Sequence, residues 1–300
     1  MGNLVWRSGV SRAGPPALLV LAHVDTVFTG LDHIRIAHEG GDLVGPGIGD
    51  NATAVMALVW VLERLTELPE GLCVAFTVGE EGLGNLRGAL HACRELRPAM
   101  AIALEGHGLD DVVIDHVGSV RARVGVRGPG GHSWSDRGIP SAIHALFGLG
   151  DLLAGGGANI GMVSGGRAIN AIAAEAEMLV ERRSPDQDEL DAFEAELAGL
   201  GVEPPLGLDV EVVGRRPAGR TGAEEPLVRA VLDVRRSLGL PERWGSGSTD
   251  ANAAAAFGIP SVSIGCTRGS GMHTVHERIE LGPLELGCRQ LEAVIGALLG

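Results

Sequence analysis

The chain has 300 residues, of which 45% are hydrophobic and 21% charged, which is the balance of a globular protein with room for one large domain or two modest ones. Its formal net charge of −14 repels phosphate backbones and anionic bilayers, so neither nucleic acid nor a membrane surface is an expected partner. Four scattered cysteines without a Cys-x-x-Cys pair suggest neither a disulfide framework nor a thiolate zinc site; with no signal-type apolar core in MGNLVWRSGVSRAGPP and no membrane-length apolar run, a cytoplasmic setting is expected.

Ala17–Ala22, Leu72–Val78, Met100–Leu104 and Pro260–Ile264 are short runs rich in Val, Leu and Ile, which predict strands buried on both faces of an α/β sheet. Between and after them, Asn51–Leu65, Leu86–Arg97, Glu225–Leu238 and Ala251–Phe257 carry apolar residues at helical spacing. The texture changes between residues 117 and 214. Val120–Val126 and Ala174–Val180 alternate apolar and polar residues as strands of a half-exposed sheet do, Ser141–Leu153 and Asp188–Leu200 read as helices, and Leu208–Val213 reads as a further strand. The expected organisation is therefore an α/β domain of residues 1–116 and 215–300, interrupted by an α+β insertion of residues 117–214.

Each predicted strand of the first domain runs into acidic or histidine residues, and open α/β sheets bind ligands beyond the carboxyl ends of their strands. His23-Val24-Asp25 puts two side chains on one side of an extended segment, so Asp25 can hold the far nitrogen of a metal-bound His23. Asp50 ends the Gly-rich GPGIGD at the start of a predicted helix, where an ordinary helix N-cap is the competing explanation. Glu80 and Glu81 emerge together from an apolar strand, and adjacent carboxylates there repel unless a cation or a proton separates them. Glu105 and His273 follow later strands, and His107, His116 and His276 are the competing histidines.

In this order AHVDTVF, GPGIGDNATAVMAL, TVGEEGLGNLRGA, ALEG, GPGGHSW, SGGRAINAI, GSTDAN and GMHTVHERIEL resemble the successive motifs of the zinc peptidases related to aminoacylase, glutamate carboxypeptidase, peptidase T and succinyl-diaminopimelate desuccinylase. The resemblance implies a mixed-sheet catalytic domain with two divalent metal ions, zinc by preference with cobalt or manganese as substitutes, and an inserted lid domain through which a homodimer forms. Carried over by motif, His23 and Glu105 hold one ion, Glu81 and His273 the other, and Asp50 bridges them; His273 is preferred to His276 because a Glu, Glu277, follows it by four residues. Glu80 is then the general base for water attacking an amide or peptide bond. His132 of GPGGHSW matches a histidine that reaches the partner subunit's site, where the alternative is a loop histidine packed on Trp134, and Asn170 and Arg183 match substrate-binding positions, with Arg182 an adjacent competitor.

Two departures accompany the match. Such proteins usually carry several dozen residues before the first histidine motif, forming helices over the sheet, whereas twenty-two precede His23, so a trimmed fold or a truncated copy with exposed apolar surface is expected. Ala173 also stands where the lid motif usually has Pro. The expected substrate is a small peptide or an N-acyl amino acid, with STDAN and Glu105-Gly106 favouring the peptidase over the deacylase; a non-catalytic binding protein of the same fold is the alternative from another class, disfavoured because all five ligand positions and Glu80 are present.

Overall fold

The computed structural model describes residues 2–9, 14–31, 33–65, 67 and 69–300. Met1 and residues 10–13 of the amino-terminal stretch read above lie outside the described residues.

From the amino terminus the elements are β1 (Leu4–Arg7), β2 (Leu18–His23), β3 (Ala37–Glu39), β4 (Asp42–Val44), α1 (Thr53–Arg64), β5 (Leu72–Thr77), α2 (Arg87–Leu96), β6 (Met100–Glu105) and β7 (Asp111–His116). Then come β8 (Gly118–Arg127), β9 (Gly131–His132), α3 (Ala142–Gly155), β10 (Asn159–Gly165), β11 (Ala171–Ile172), β12 (Glu175–Ser184), α4 (Gln187–Ala198) and β13 (Gly207–Arg216). The chain ends with β14 (Gly219–Arg220), α5 (Pro226–Ser237), β15 (Arg243–Gly247), α6 (Ala251–Ala255), β16 (Ser261–Gly265), β17 (Gly269–Ser270), β18 (Arg278–Glu280) and α7 (Leu284–Leu299). It divides into two compact units, one of residues 1–117 and 219–300, the other Gly118–Ala218. The second unit runs past the expected boundary at 214 because β13 keeps pairing with β8 as far as Arg216 opposite Ser119.

The first unit is built on a mixed sheet of order β1-β5-β2-β6-β16-β7-β14, with β15 also paired to β7. Its centre, β5-β2-β6-β16, is parallel, and the continuous apolar sequence of β2 has a simple cause: every one of its residues is buried. Alternate side chains serve the two faces. Leu18, Val20, Val74 and Ile102 pack with Leu58 and Val61 of α1, Val231 of α5 and Leu291 and Ile295 of α7. Leu19, Leu21, Cys73 and Ala101 pack with Ala89 and Cys93 of α2 and with Ala253 and Ala254 of α6. Each fully buried leucine stabilises this arrangement by roughly 1.5–3 kcal/mol before entropy is counted. A small antiparallel sheet, β17-β18-β4-β3, flanks it.

The second unit is a four-stranded antiparallel sheet of order β10-β12-β8-β13, with α3 and α4 on one face. The period-2 pattern is realised directly. Val120, Ala122, Val124 and Val126 of β8 and Ala176, Met178 and Val180 of β12 meet Leu146 and Leu153 of α3 and Phe193 of α4. On the other face Arg123 meets Glu177, Asp209 and Glu211. A separate two-stranded ribbon pairs β9 with β11, His132 opposite Ala171.

Candidate metal centre

Because β2, β5, β6 and β16 are parallel, their carboxyl ends lie on one side of the sheet, and the chemistry-bearing residues gather there. His23 is the last residue of β2 and Glu105 the last of β6, while Glu80 and Glu81 follow β5 by a few residues. The described residues contain two groups of three side chains whose ligand atoms lie within 4.8 Å of one another: His23, Asp50 and Glu105, and Asp50, Glu81 and His273. Asp50 belongs to both.

The distances make the chemistry specific. His23 Nε2 is 3.0 Å from Asp50 Oδ1 and 3.9 Å from Glu105 Oε2; His273 Nε2 is 3.1 Å from Asp50 Oδ2 and 3.5 Å from Glu81 Oε1. His23 Nδ1 donates to the Asp25 carbonyl oxygen at 3.0 Å, which leaves Nε2 to face Asp50 with a lone pair against a carboxylate oxygen. A proton or a cation must lie between them. Donor atoms around a tetrahedral zinc with ligand bonds of about 2.0–2.1 Å lie roughly 3.3 Å apart, and the observed separations bracket that value. Glu81 Oε1 is moreover buried with no hydrogen-bond partner, the condition of an oxygen that awaits a cation. The donor set of two imidazoles and three carboxylates thus fits divalent metal.

Titration behaviour agrees. Burial pushes Glu81 up to about 7, helped by the charges of Asp50 and Glu80. Burial likewise holds Glu105 well above the usual carboxylate range, against the pull of His23. For His23 burial opposes the charged ring, yet Asp50, Glu105, Glu80 and Asp250 outweigh it and hold the imidazole well above its ordinary value. Too many negative groups share this space for all to be ionised without a cation.

Asp25 lies elsewhere than the x-separated spacing suggests. Its carboxylate is 3.9 Å from His23 Nδ1 and instead accepts the N–H groups of Gly79, Glu80 and Glu81 at 2.8, 3.2 and 3.0 Å. It therefore fixes the turn that presents the paired glutamates. Asp50 does not cap α1 either. Its backbone is non-helical, with φ −120° and ψ 84°, and Ala52 occupies the N-cap without a side-chain hydrogen bond. His273 has φ 65°, a left-handed conformation that a histidine adopts at the expense of backbone strain.

The competing histidines are placed differently. His116 is fully buried, its Nε2 at 3.2 Å from the Ser261 carbonyl and 3.3 Å from Thr221 Oγ1, and burial lowers its pKa to about 4. His276 is exposed and His107 half-buried, and neither joins the two ligand groups. Three further residues support the site: Asn51 beside Asp50, Asp250 in GSTDAN and Glu277 four residues after His273. Asn51 Nδ2 donates to the Leu104 carbonyl at 2.9 Å and its Oδ1 accepts the Gly106 N–H at 2.8 Å, so one amide holds the backbone on both sides of Glu105. Asp250 accepts from Thr77 Oγ1, and Glu277 accepts from the loop before Asp50.

The remaining expected residues lie in the second unit. His132 Nδ1 accepts the Trp134 N–H at 3.1 Å, which puts the neutral ring's proton on Nε2; the ring is exposed, and the face of Trp134 is covered by Arg137 at 4.7 Å. The Asn170 carbonyl accepts the Ser133 N–H at 3.1 Å, so the turn carrying Asn170 lies beside the end of β9 that carries His132. Arg183 is not near them. It lies at the other end of β12 from Glu175, roughly 25 Å along the strand, and its Nε is 3.0 Å from Glu181 Oε2. Arg182 stacks on Phe193 at 4.2 Å.

No curated protein matches the sequence. Among solved structures, the chain is similar to the aminopeptidase PepT from Bacillus cereus ATCC 10987, with 22% identity, a TM-score of 0.78, and coverage of 100% of this chain and 85% of that one. It is similar to a tripeptidase from Staphylococcus aureus subsp. aureus mu50, with 24% identity, a TM-score of 0.77, and coverage of 99% and 84%. A metallo-carboxypeptidase of the M20 family from Sulfolobus solfataricus matches with 16% identity, a TM-score of 0.74, and coverage of 99% and 87%. These likenesses show the fold. The sequence pattern of Peptidase family M20/M25/M40 matches residues 19–297, nearly the whole chain, and the protein therefore belongs to that family of metal-dependent hydrolases of peptides and amides.

Proposed function

We propose that this protein hydrolyses an amide or peptide bond of a small peptide with two divalent ions, zinc by preference. His23 and Glu105 hold one ion, Glu81 and His273 the other, and Asp50 lies between. The observation that carries this reading is the orientation of Asp50: its two oxygens face two different imidazoles, Oδ1 towards His23 at 3.0 Å and Oδ2 towards His273 at 3.1 Å. Bound there, the ions supply Lewis acidity to the substrate carbonyl and lower the pKa of the attacking water.

Glu80 is buried beside this group and belongs to neither ligand triad, which suits a base that takes the water's proton and later returns it to the leaving nitrogen. Asp25, through its three N–H bonds, keeps the turn from swinging Glu80 away. His132 is suited to donate from Nε2 to the developing oxyanion. Asn170, in the neighbouring loop, is suited to substrate contact, whereas Arg183 enters through its motif alone, its guanidinium being held by Glu181.

A homodimer through the second unit is supported by edge strand β10, where Met162 and Val163 are exposed, and by Phe147 and Leu152 on α3. Four free, buried cysteines suit a reducing compartment such as the cytoplasm. Metal analysis, followed by a panel of di- and tripeptides beside N-acyl amino acids in zinc, cobalt or manganese, tests the reading. Two ions per chain and cleavage of the peptides are expected. Cleavage of N-acyl amino acids alone would make it a deacylase, and metal uptake without turnover would leave a binding protein.

A further inference from the structure

Glu277 is fully buried and stands outside the ligand set proposed above. Its Oε2 accepts the Gly47 N–H at 2.7 Å, and its Oε1 accepts the Gly49 and Asp50 N–H groups at 2.7 and 2.6 Å. Its own carbonyl accepts the Gly45 N–H at 2.8 Å. This register follows from the pairing of Arg278 in β18 with Val44 in β4, which brings Glu277 alongside the loop that leaves β4. The loop lacks an ordinary helical or strand ladder at this point: Gly47 has φ 72°, and Asp50 and Asn51 are non-helical. Its donors converge on one carboxylate. A Cβ on Gly49 would lie 3.0 Å from both Glu277 Oε1 and Ile279 Cγ2, so a methyl group there presses on this approach.

Four residues before Glu277 the same segment carries His273, whose Nε2 lies 3.1 Å from Asp50 Oδ2. One side chain therefore ties the loop presenting Asp50 to the loop presenting His273. We propose that Glu277 is a positioning residue that sets the Asp50–His273 spacing and with it the affinity of the ion held by Asp50, Glu81 and His273; this rests on the ligand set proposed above. A carboxylate suits the task because it offers acceptors only, on both oxygens. A glutamine of the same shape turns an NH₂ group towards backbone donors, so at least one buried N–H loses its partner and the loop shifts. Ligand groups tolerate only about 0.5 Å of such drift before the site loosens.

The test is stepwise zinc titration of the ion-free protein against a competing chelator, with near-ultraviolet circular dichroism as the check of fold. Wild type should take up two ions. Glu277→Gln should weaken one step by about 10–100-fold and the other, which shares only Asp50 with it, by clearly less. Gly49→Ala disturbs the same contact from the loop side with the carboxylate in place and should give the same uneven loss; it decides the matter if Glu277→Gln fails to fold. Arg278→Ala, the neighbouring residue, whose guanidinium pairs with Glu39 and Asp42, should leave both steps unchanged. Two ions in wild type with both steps unchanged in the variants, or with both weakened equally, overturns the role of Glu277 and leaves the ligand set standing. Fewer than two ions in wild type overturns the ligand set, and this proposal with it.

Discussion

Loading the ion-free protein with zinc at pH 7 should release at least about half a proton per chain, because each ligand must surrender its proton before its lone pair can reach a metal. His23 adds to the release: burial disfavours its charged form, but the carboxylates of Asp50, Glu105, Glu80 and Asp250 prevail and hold its pKa well above the ordinary value. Glu81, pushed by burial to about 7, is half-protonated at that pH and contributes about half a proton. Glu105, raised well above the carboxylate range by burial, acts in the same direction. The sign follows directly. The ion-free state binds more protons than the loaded state, so rising pH favours loading, and the apparent zinc affinity should climb by at least about threefold per pH unit around pH 7, less steeply once Glu81 has ionised. Calorimetry at one pH in two buffers of different ionisation enthalpy reads the proton count from the difference in heat. Tight zinc binding with no proton released, or an affinity that does not rise with pH, would refute the reasoning, since it would mean that the ion sits on groups other than His23, Glu81 and Glu105.

The other expectations are local. Glu80→Gln keeps shape and ligands, so metal content should stay at the wild-type level while kcat falls by at least ~10²-fold, and a variant of normal rate shows that another group takes the proton. Asp50→Ala removes the carboxylate that faces both imidazoles, so metal analysis should find both ions depleted; two ions retained per chain would remove Asp50 from the centre. For His132, complementation is the measurement: His132→Ala and Glu80→Gln chains, each nearly inactive, should recover roughly a quarter of wild-type activity when their subunits exchange at equal amounts, by the symmetry of a two-site dimer. Exchange without recovery places the action of His132 in its own subunit.

The parallel core was legible because burial on both faces demands uninterrupted apolar runs, and Leu18–His23 and Leu72–Thr77 comply. Residues at the ends of those runs could be singled out for the same reason, since a charged group that interrupts a buried strand stands at a boundary. Strand β7, Asp111–His116, escaped notice because DVVIDH alternates too briefly to be told from a loop, and the ends of α1 and α6 were misplaced where an irregular turn and a five-residue helix replace longer helical patterns. The contacts made by the supports of the site were illegible for a different reason. Glu277 reaches Gly47 across 230 positions of sequence and Asp250 reaches Thr77 across 173, and no local pattern encodes which backbone donor a distant carboxylate will find. Asp25 shows the limit of spacing arguments: the x-separation from His23 is real, but three closer N–H groups win its carboxylate.

What satisfies each acid in this crowded corner distinguishes scaffold from ligand. A carboxylate removed from water is tolerable when donors surround it, and half-buried Asp25 and buried Glu277 each collect three backbone N–H groups, so neither has reason to attract an ion. Asp50 and Glu81 are in the opposite condition. Asp50 spends both side-chain oxygens on imidazole nitrogens, and Glu81 Oε1 has no hydrogen-bond partner at all. The two kinds of acid are mechanically connected: Glu277 fixes the loop of Asp50, and Asp25 fixes the turn of Glu80 and Glu81. Repulsion among the acids of the proposed ligand set can therefore be borne by loops that the saturated acids hold in place, so that removing a scaffold acid should loosen the ion proposed beside it without removing a ligand.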